Sequence, residues 1–397
     1  MKLLRVIRSL DPRGGGPREG IRQITPHLAA YGVETTVASL DSPDAPWLAD
    51  FPARTYALGP VQGGYGYRPG LPRRIQTLAQ AHDVVIIHGI WQYHAMATWR
   101  ALHHSDIPYL VYTHGMLDPW FKHTYPLKHL KKWAYWPWAD YRVLRDARAV
   151  LFTTEQERLL ARESFWLYHA HEQVVNYGIS GPDGVPELQR QEFLSRFPEL
   201  NGKRLLLFLS RIHPKKGTDL LIEAFARICD QDPRLHLVIA GPDQVGWQEA
   251  LHQRATELQI AERITWTGML SGDLKWGSFH SAELFCLPSH QENFGIAVAE
   301  ALACCLPVVI GKPVNIAGEV TAAQVGFVVE DSIDGTVKGM TNWLNLNAET
   351  QAQFREQARQ LFQSKFEITQ SSRNLRGILE KAVSSSFQEA ASPALLS

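Results

Sequence analysis

Short apolar runs alternate with amphipathic segments along the first half of the chain. The apolar runs lie at residues 3–8, 35–39, 83–88, 109–113 and 149–153. Between them, residues 21–31 and 71–81 carry apolar side chains at the spacing of one helix face. Strands that alternate with helices predict a parallel sheet covered by helices on both faces.

The same pattern returns in the second half, where apolar runs at 204–210, 235–240 and 264–268 predict another sheet. A chain of 397 residues is also longer than one ordinary domain. Residues 180–198 have the Gly, Asp and Pro content of a linker. We predict an N-terminal domain, a C-terminal domain, a final helix and a disordered tail, over residues 1–185, 186–365, 366–386 and 387–397.

Residues 285–310 combine this pattern with candidate chemistry. A short strand is expected to end near Leu287, a polar loop carries Glu292, and a helix opens at about Gly295 and contains Glu300. A carboxylate on an apolar helix face needs a partner, which is either a structural salt bridge or a ligand rich in hydroxyl groups. The helix N-terminus also favours an anion. Together these features suggest a nucleotide sugar.

Two further loops follow predicted strands. Arg211 and Lys216 precede a helical stripe and suit a diphosphate, although a solvated basic loop is the alternative. Gly15 and Gly16 lie in a glycine-rich loop that lets the backbone approach a ligand, or simply forms a flexible turn. The dinucleotide fingerprint fails here because Glu19 stands at its third glycine position.

Two histidines end predicted strands and precede glycine. His88 is interpreted as a hydrogen-bonding residue at a strand end, and His114 stands in the segment T-H-G-M-L-D-P-W. The spacing of Asp230 and Asp232 matches a D-x-D metal motif, but Pro233 follows in a helix-to-strand connection, so a turn is the favoured interpretation.

Several of these segments resemble the retaining glycosyltransferases of family four, which have the GT-B fold. Residues 292–300 match the E-x7-E signature, residues 210–217 match S-R-x4-K-G, and His114 stands in the family's first-domain histidine context. The resemblance covers nearly the whole chain and is weakest over 43–69 and the tail. It departs at Cys305, where the family usually has Gly.

The resemblance implies an α/β protein of GT-B architecture, with two Rossmann-like parallel-sheet domains facing a central cleft. The final helix would cross back to the N-terminal domain. The predicted catalytic residues are Glu292, His114, Arg211 and Lys216. The predicted donor-binding residues are Gly15, Gly16, Ser289, Asn293, Phe294, Gly295 and Glu300.

The implied roles follow the chemistry of each group. Arg211 and Lys216 would bind the diphosphate in place of a metal ion, and Glu292 would hold the hydroxyls of the donor sugar. Backbone N–H groups of residues 293–295 would assist, Glu300 would hold the ribose, and His114 would contact the sugar or the acceptor. No metal and no separate cofactor is expected, and UDP-sugars are favoured over GDP-sugars.

The predicted function is therefore transfer of a sugar from a nucleoside diphosphate to a saccharide or lipid-linked acceptor, in cell-envelope or exopolysaccharide biosynthesis. Three alternatives stay open: a non-catalytic nucleotide-sugar sensor or scaffold, a sugar-nucleotide epimerase of the same fold, and a nicotinamide oxidoreductase. The epimerase would need a second set of acid and base groups, and the oxidoreductase would need the missing glycine fingerprint.

Charge and composition add constraints on partners. The 40 basic and 40 acidic side chains cancel, which disfavours nucleic acid. The four cysteines lie in apolar contexts without C-x-x-C spacing, and Lys2, Arg5 and Arg8 interrupt the N-terminus, so a cytoplasmic location is expected. Residues 119–148 are basic and aromatic, which suits either the inner face of an anionic membrane or packing of the rings on the first domain.

Overall fold

The chain folds as two units, each built around its own parallel sheet. The computed structural model describes residues 1–384, so the predicted tail at 387–397 lies outside the described residues. The first unit contains residues 1–179 and the chain from Ile368 onward, and the second contains Ser180–Glu367. Within residues 1–384, none of the helices is both long and apolar enough to cross a membrane.

The first unit contains a seven-stranded sheet whose neighbouring strands all run parallel. Its strands are β1 (Lys2–Ile7), β2 (Glu34–Ser39), β3 (Arg54–Ala57), β4 (Val84–His88), β5 (Tyr109–Tyr112), β6 (Ala149–Phe152) and β7 (Glu172–Val174). Their order across the sheet is β3-β2-β1-β4-β5-β6-β7. Ile7 pairs with both Ser39 and His88, so the carboxyl ends of these central strands are level.

Helices cover both faces of this sheet. Residues 1–179 of the first unit form the helices α1 (Gly16–Ala30), α2 (Leu71–Ala79), α3 (Tyr93–Leu102), α4 (Trp120–Thr124), α5 (Pro126–Tyr135), α6 (Asp140–Arg145) and α7 (Glu155–Ala161). In α1, Ile21, Ile24 and Leu28 recur at helical spacing and are buried against the sheet. β4 is buried on both faces, which explains its unbroken apolar run.

The second unit contains a six-stranded parallel sheet. Its strands are β8 (Arg204–Leu209), β9 (Leu235–Ala240), β10 (Ile264–Gly268), β11 (Ala282–Leu287), β12 (Val308–Gly311) and β13 (Gly326–Val329). Their order is β10-β9-β8-β11-β12-β13. The order reverses between β8 and β11, and such a switch point is where open sheets of this type bind ligands.

Eight further helices belong to the second unit. They are α8 (Pro186–Arg196), α9 (Thr218–Ile228), α10 (Gln248–Glu257), α11 (Gly272–Ser281), α12 (Ile296–Ala303), α13 (Ala317–Ala323), α14 (Ile333–Leu344) and α15 (Ala348–Leu361). The next helix, α16 (Ile368–Val383), belongs to the first unit and packs on α1 there. Each unit alternates strands with helices and has one parallel sheet, which confirms the predicted fold class of two Rossmann-like parallel-sheet domains.

The linker prediction for residues 180–198 is wrong, because this segment contains α8. The helix has a polar composition, but one of its faces buries Gln189 and Phe193. That face packs so closely on α11 that a Cβ at Gly277 would lie 2.1 Å from the Gln189 carbonyl oxygen. A polar helix can therefore be held by one tight contact that composition does not reveal.

Candidate active site

In the second unit, three loops converge at the carboxyl ends of β8, β11 and β12. The His290 N–H donates to the Lys215 carbonyl at 2.9 Å, which joins the first two loops. Glu292 joins the second loop to the third, because its N–H donates to the Pro313 carbonyl and its own carbonyl accepts from the Asn315 N–H. These backbone hydrogen bonds fix the path of every predicted donor-binding residue between 289 and 295.

The side chains of Lys216 and Glu292 form an ion pair at this point. Lys216 is buried, and Glu292 is partly exposed. Burial, with added repulsion from Lys215 and Arg211, lowers the pKa of the Lys216 ammonium to about 7. The Glu292 carboxylate is the anionic partner of this buried cation.

Two helix N-termini open beside this pair. Gly217 precedes α9 and Gly295 precedes α12, and neither helix has a side-chain cap. Both glycines have positive φ, +67° and +83°. At Gly217 a Cβ would lie 2.1 Å from the Pro288 carbonyl oxygen, so only glycine fits there. Uncapped helix N-termini offer N–H groups and partial positive charge to an anion.

Arg211 and Ser289 border the same loops. The Arg211 guanidinium is exposed and donates to the Gln244 side-chain oxygen at 3.0 Å, so it is accessible to a ligand. Ser289 is fully buried, and its hydroxyl oxygen has no hydrogen-bond partner within the described part of the chain. Arg211 thus adds a cation to the site, and Ser289 is a buried residue of the loop that holds Glu292.

Glu300 lies on the buried face of α12 and has a cationic partner. Its carboxylate accepts from the Lys275 ammonium of α11 at 2.9 Å, and that ammonium also lies 4.1 Å from the centre of the Trp276 ring. The salt bridge explains how a carboxylate that is only 5% exposed is tolerated. It also means that a ligand hydroxyl would share Glu300 with Lys275.

Asn293 and Phe294 complete the loop before α12. The Phe294 side chain is buried and packs edge-on against Phe366 at 5.5 Å between ring centres. The Asn293 side-chain oxygen lies 3.5 Å from the amide of Asn315. Phe294 therefore anchors the loop by its side chain, which leaves only its backbone N–H for the role expected from the resemblance.

In the first unit, Gly15 lies directly before α1, and Gly16 is the first residue of that helix. Gly15 has φ +79° and precedes the helix without a side-chain cap. The hydroxyl of Tyr177 donates to the Gly16 carbonyl at 2.6 Å. The same tyrosine requires Gly20, because a Cβ there would lie 1.6 Å from the tyrosine oxygen. Tyr177 thus holds the first turn of α1, including Gly16, in place.

His114 follows β5 at the same edge of the first sheet. Its backbone is in the left-handed region, with φ +49°, a conformation that costs energy for residues other than glycine. The buried Glu157 carboxylate stabilises the turn by accepting from the Thr113 hydroxyl at 2.9 Å and from the Gly115 N–H at 2.6 Å. The strain therefore places the imidazole at a fixed position next to the strand ends.

A chain of hydrogen bonds assigns the protons of the two histidines. Arg5 has only donors, so His88 Nε2, 3.0 Å from Arg5 Nη1, is an acceptor. His88 Nδ1 then carries the proton and donates to His114 Nε2 at 3.0 Å. His114 is consequently protonated on Nδ1, and burial with the nearby Arg5 charge lowers its pKa to about 3. His114 is a neutral hydrogen-bond donor and a poor general base.

Sequence reasoning missed four supporting residues at these sites. They are Arg5, Glu157, Tyr177 and Lys275. Each acts on a predicted site residue from a distant part of the sequence, so spacing gives no signal for them. The only available hint was the presence of charged residues, Arg5 and Lys275, among apolar neighbours. His88 was identified as a hydrogen-bonding residue, but its side-chain partners were not.

In the D-x-D segment, the Asp232 side chain forms salt bridges with arginines. The Asp232 carboxylate pairs with Arg204 at 3.0 Å and with Arg234 at 2.9 Å, and both arginines lower its pKa. Among residues 1–384 there is no group of three or more His, Cys, Asp or Glu side chains arranged to hold a metal ion.

Two family models match this chain, one in each half. Glycosyl transferases group 1 matches residues 189–361, and the glycosyl transferase 4-like domain matches residues 15–178. Together they cover the site residues of both units.

Curated relatives give the same result at lower coverage. A D-inositol 3-phosphate glycosyltransferase of Mycobacterium marinum is 25% identical over 81% of this chain and 70% of its own length. One from Thermomonospora curvata is 35% identical over 32% of this chain. The chain spans about a third of the length of that relative, 31%.

Solved structures resemble nearly the whole chain. Anabaena HepE in complex with UDP and glucose has a TM-score of 0.76 at 18% identity, with 96% of this chain and 99% of that chain covered. Sucrose-phosphate synthase of Thermosynechococcus elongatus has a TM-score of 0.74 at 17% identity, covering 97% and 100%. These likenesses confirm the GT-B fold.

Proposed function

Since this chain belongs to the glycosyl transferases group 1, we propose that it is a retaining, metal-independent enzyme that uses a nucleoside-diphosphate sugar. The observation that carries this proposal is the ion pair of the buried Lys216 with the partly exposed Glu292, between two uncapped helix N-termini. A fixed cation, two anion-binding backbone ends and a carboxylate acceptor meet the needs of a sugar diphosphate.

The diphosphate is the leaving group, and its growing negative charge has to be stabilised as the glycosidic bond breaks. Lys216, the exposed guanidinium of Arg211 and the N-terminus of α12 supply positive charge at fixed positions. A divalent ion would add to charge that is already present. We therefore propose that the protein cations replace it.

Glu292 has two roles in this proposal. Without donor, it is the counter-ion of Lys216. When the diphosphate arrives, Lys216 gains a new anionic partner, and the Glu292 carboxylate becomes available to accept hydrogen bonds from the sugar hydroxyls. His114 then contributes its Nδ1–H as a donor to a sugar or acceptor oxygen, because it is neutral and not a proton acceptor on that nitrogen.

We favour a UDP-sugar as the donor. HepE has been solved with UDP-glucose at a TM-score of 0.75. The identity of 18% supports only the fold, so the base and the sugar are proposals for this chain.

For the acceptor we propose a saccharide or lipid-linked saccharide of the cell envelope. A structural neighbour with a TM-score of 0.66, WaaG, is described as a glycosyltransferase involved in lipopolysaccharide biosynthesis. The second support is an exposed apolar surface around α5, which we call the α5 surface. It consists of Leu127, Leu130, Trp133, Trp138 and Trp166.

The α5 surface has the composition of a peripheral membrane contact. Leu127 is 80% exposed and Leu130 is 64% exposed, and Lys122, Lys128 and Lys131 stand among them. Other rings of the same segment pack inward, since Trp136 is fully buried and stacks on Phe165. The two interpretations of residues 119–148 thus apply to different side chains, and we propose that the outward set contacts an anionic membrane.

The test of the proposed function is donor turnover by the purified protein. We expect slow release of UDP from a UDP-sugar without acceptor, faster release with acceptor, retention of the anomeric configuration, and the same rate with EDTA. Tight binding without any turnover, by a protein that shifts its unfolding temperature with UDP, would identify a sensor instead. Strict dependence on a divalent ion would exclude the metal-independent mechanism.

A further inference from the structure

The first sheet has a switch point of its own. Its strand order reverses between β1 and β4, and open parallel sheets bind ligands outside the carboxyl ends of the strands at such a point. β1 ends at Ile7, so Arg8 is the first residue beyond the strand. β4 ends level with it, because Ile7 pairs with His88. Arg8 therefore places a cation where a sheet of this type binds ligands.

A loop rich in glycine and tyrosine, residues 61–67, lies against this edge of the sheet. The Arg8 guanidinium donates from Nη2 to the Gly63 carbonyl at 3.2 Å. The Tyr93 N–H, which follows β4, donates to the Tyr65 carbonyl at 2.8 Å. The loop is thus held beside the switch point by groups from the segments that follow both central strands.

Two of the three guanidinium nitrogens of Arg8 remain available. Nε and Nη1 form no hydrogen bond within residues 1–384, and neither atom is buried. The charge of the Asp41 carboxylate acts on Arg8, but its oxygens accept from the Ser9 hydroxyl at 2.6 Å and from the Leu10 N–H at 2.8 Å. A guanidinium stays charged at physiological pH. Arg8 is therefore a partly buried cation with open donors.

Exposed tyrosine rings flank these donors. Tyr65 is 38% exposed and Tyr67 is 58% exposed. Both rings are held in a tilted contact with Tyr93, at 5.7 Å and 4.8 Å between ring centres. Gly66 stands between them, and a Cβ there would lie 3.0 Å from Arg8 Nε, so glycine leaves that side of the guanidinium open. Fixed aromatic rings beside a few polar groups are typical of sites for small ligands.

We propose that the first unit binds an anionic saccharide as the acceptor, with its carboxylate or phosphate paired to Arg8 and its sugar ring against Tyr67. The inference rests on the proposed transfer function, because it names the acceptor of that reaction. An anion uses the available donors and gives the cation a partner, whereas a neutral sugar leaves the charge unmatched. A structural role for Arg8, in which it only holds the loop, accounts for Nη2 alone.

The test is a titration of the full chain, followed by saturation-transfer NMR, with saccharides that differ in charge. Methyl β-D-glucuronide carries a carboxylate, glucose 6-phosphate carries a phosphate, and methyl β-D-glucoside is neutral. We expect at least one charged saccharide to bind about tenfold more tightly than the neutral one, as one charge-assisted hydrogen bond allows. The tighter of the two identifies the anion. Equal Kd values for all three, or inorganic phosphate that binds as tightly as the charged saccharide, would overturn the proposal.

Arg8→Gln should reduce this charge preference, the ratio of the neutral to the charged Kd, to about one. Arg8→Lys should keep part of it, because an ammonium supplies a point charge. Arg68→Gln is the matched control, since Arg68 also holds the loop region by donating to a carbonyl, that of Pro60, at 3.1 Å. This control should keep the full preference. A preference that survives in Arg8→Gln, or that is lost equally in Arg68→Gln, would contradict the assignment to Arg8.

UDP binding, measured by thermal shift on the same samples, separates this inference from the proposed function. A protein that binds UDP but does not distinguish charged from neutral saccharides would contradict the anionic acceptor alone. A protein that prefers the charged saccharide but neither binds UDP nor turns over a UDP-sugar would contradict the proposed transfer function, and with it the acceptor role of the saccharide.

Discussion

In the proposed function, the Lys216–Glu292 pair would link donor binding to proton uptake. The ammonium has a pKa of about 7 because it is buried beside Lys215 and Arg211. The proposed diphosphate would bring negative charge into the same site and raise that pKa. Affinity is therefore fully expressed below about pH 7, and it is lost as the pH rises from the pKa of the free protein towards the pKa of the complex.

We predict that UDP-glucose binding weakens at least tenfold between about pH 6 and pH 9. The phosphates of a diphosphate ester stay ionised over this range, so the change reports the protein. One charge-assisted hydrogen bond contributes about 1.5–3 kcal/mol, which corresponds to roughly tenfold or more in affinity. Isothermal titration in two buffers of different ionisation enthalpy measures both the affinity and the proton uptake.

Lys216→Arg tests the cause, because a guanidinium stays charged throughout this range. It should flatten the pH dependence of binding. Lys312 lies on the next loop, where it is exposed and pairs with Glu330, and Lys312→Arg should leave the dependence unchanged. If binding by the Lys216→Arg variant still declined above pH 7, another group would be responsible.

A second prediction at this scale concerns the protons of His114. Hydrogen bonding to His88 and burial keep its imidazole neutral with the proton on Nδ1. Nitrogen-15 NMR of histidine-labelled protein should show this tautomer unchanged between about pH 5 and pH 8, since the pKa of His114 is lowered to about 3.

His171 is a useful internal comparison because it is only partly buried, and its pKa is lowered less strongly by burial and by His169. Its signals should respond at a higher pH than those of His114. Arg5→Met removes the donor that makes His88 Nε2 an acceptor, so the proton of His88 is no longer fixed on Nδ1. The His114 signals should then broaden or split. A protonated His114 at pH 6 would contradict the hydrogen-bond assignment.

At the scale of elements, α12 is followed by a residue type that is unusual for the backbone conformation found there. The Leu306 N–H donates to the Ala301 carbonyl and the Cys305 N–H donates to the Leu302 carbonyl, which is a Schellman motif. The motif places Cys305 at φ +57°, where glycine is normally found. The Gly that the resemblance leads us to expect at this position would adopt this φ without strain.

We predict that Cys305→Gly stabilises the protein by about 1 kcal/mol, because it removes the left-handed strain of a residue with a Cβ. The expected rise in Tm is about 2–4 °C for a unit of this size. Cys305→Ala keeps the Cβ and removes the thiol, so it should give no comparable gain. An equal gain from both variants in thermal denaturation would assign the effect to the thiol instead of the backbone.

Elements with strong local signals were predictable, and elements held by tertiary contacts were not. β4 is apolar up to its last residue, His88, the last four residues of β11 are apolar, and α12 begins directly after a glycine, so these elements are visible in the sequence. β3 is short, lies at the sheet edge and is only partly buried, so it gives no apolar run. α8 depends on one close contact with α11.

The same distinction applies to the site. Positions of Arg211, Lys216 and Glu292 after parallel strands predicted a shared sheet edge, because the carboxyl ends of such strands meet there. The direct pairing of Lys216 with Glu292 joins residues that are 76 positions apart, and sequence spacing does not encode it. The sequence shows Arg5 only as an interruption of an apolar N-terminus, although the fold buries it.

At the scale of the whole molecule, a net charge of zero hides local separation of charge. The 40 basic and 40 acidic side chains balance, but α5 carries Lys128, Lys131 and Lys132 and has no acidic residue in its first turn. Lys132 is drawn inward over the Trp91 ring at 4.5 Å. The other two lysines stand beside exposed leucines, so basic and apolar groups face solvent together.

We predict that this surface binds anionic vesicles and ignores zwitterionic ones. Each Lys near a charged surface contributes about 1 kcal/mol, and a leucine that enters the interface contributes about 1.5–3 kcal/mol at full burial. The double variant Leu127→Ser/Leu130→Ser should therefore reduce sedimentation with phosphatidylglycerol vesicles by at least tenfold. Leu188→Ser, at an equally exposed leucine of the second unit (62% exposed), should have no effect.

Raising the salt concentration should weaken binding of the wild type, because the lysine contribution is screened, while the leucine contribution is not. Vesicle binding that is lost equally in both variants, or that is insensitive to salt, would remove the α5 surface from the account of how this enzyme reaches its acceptor.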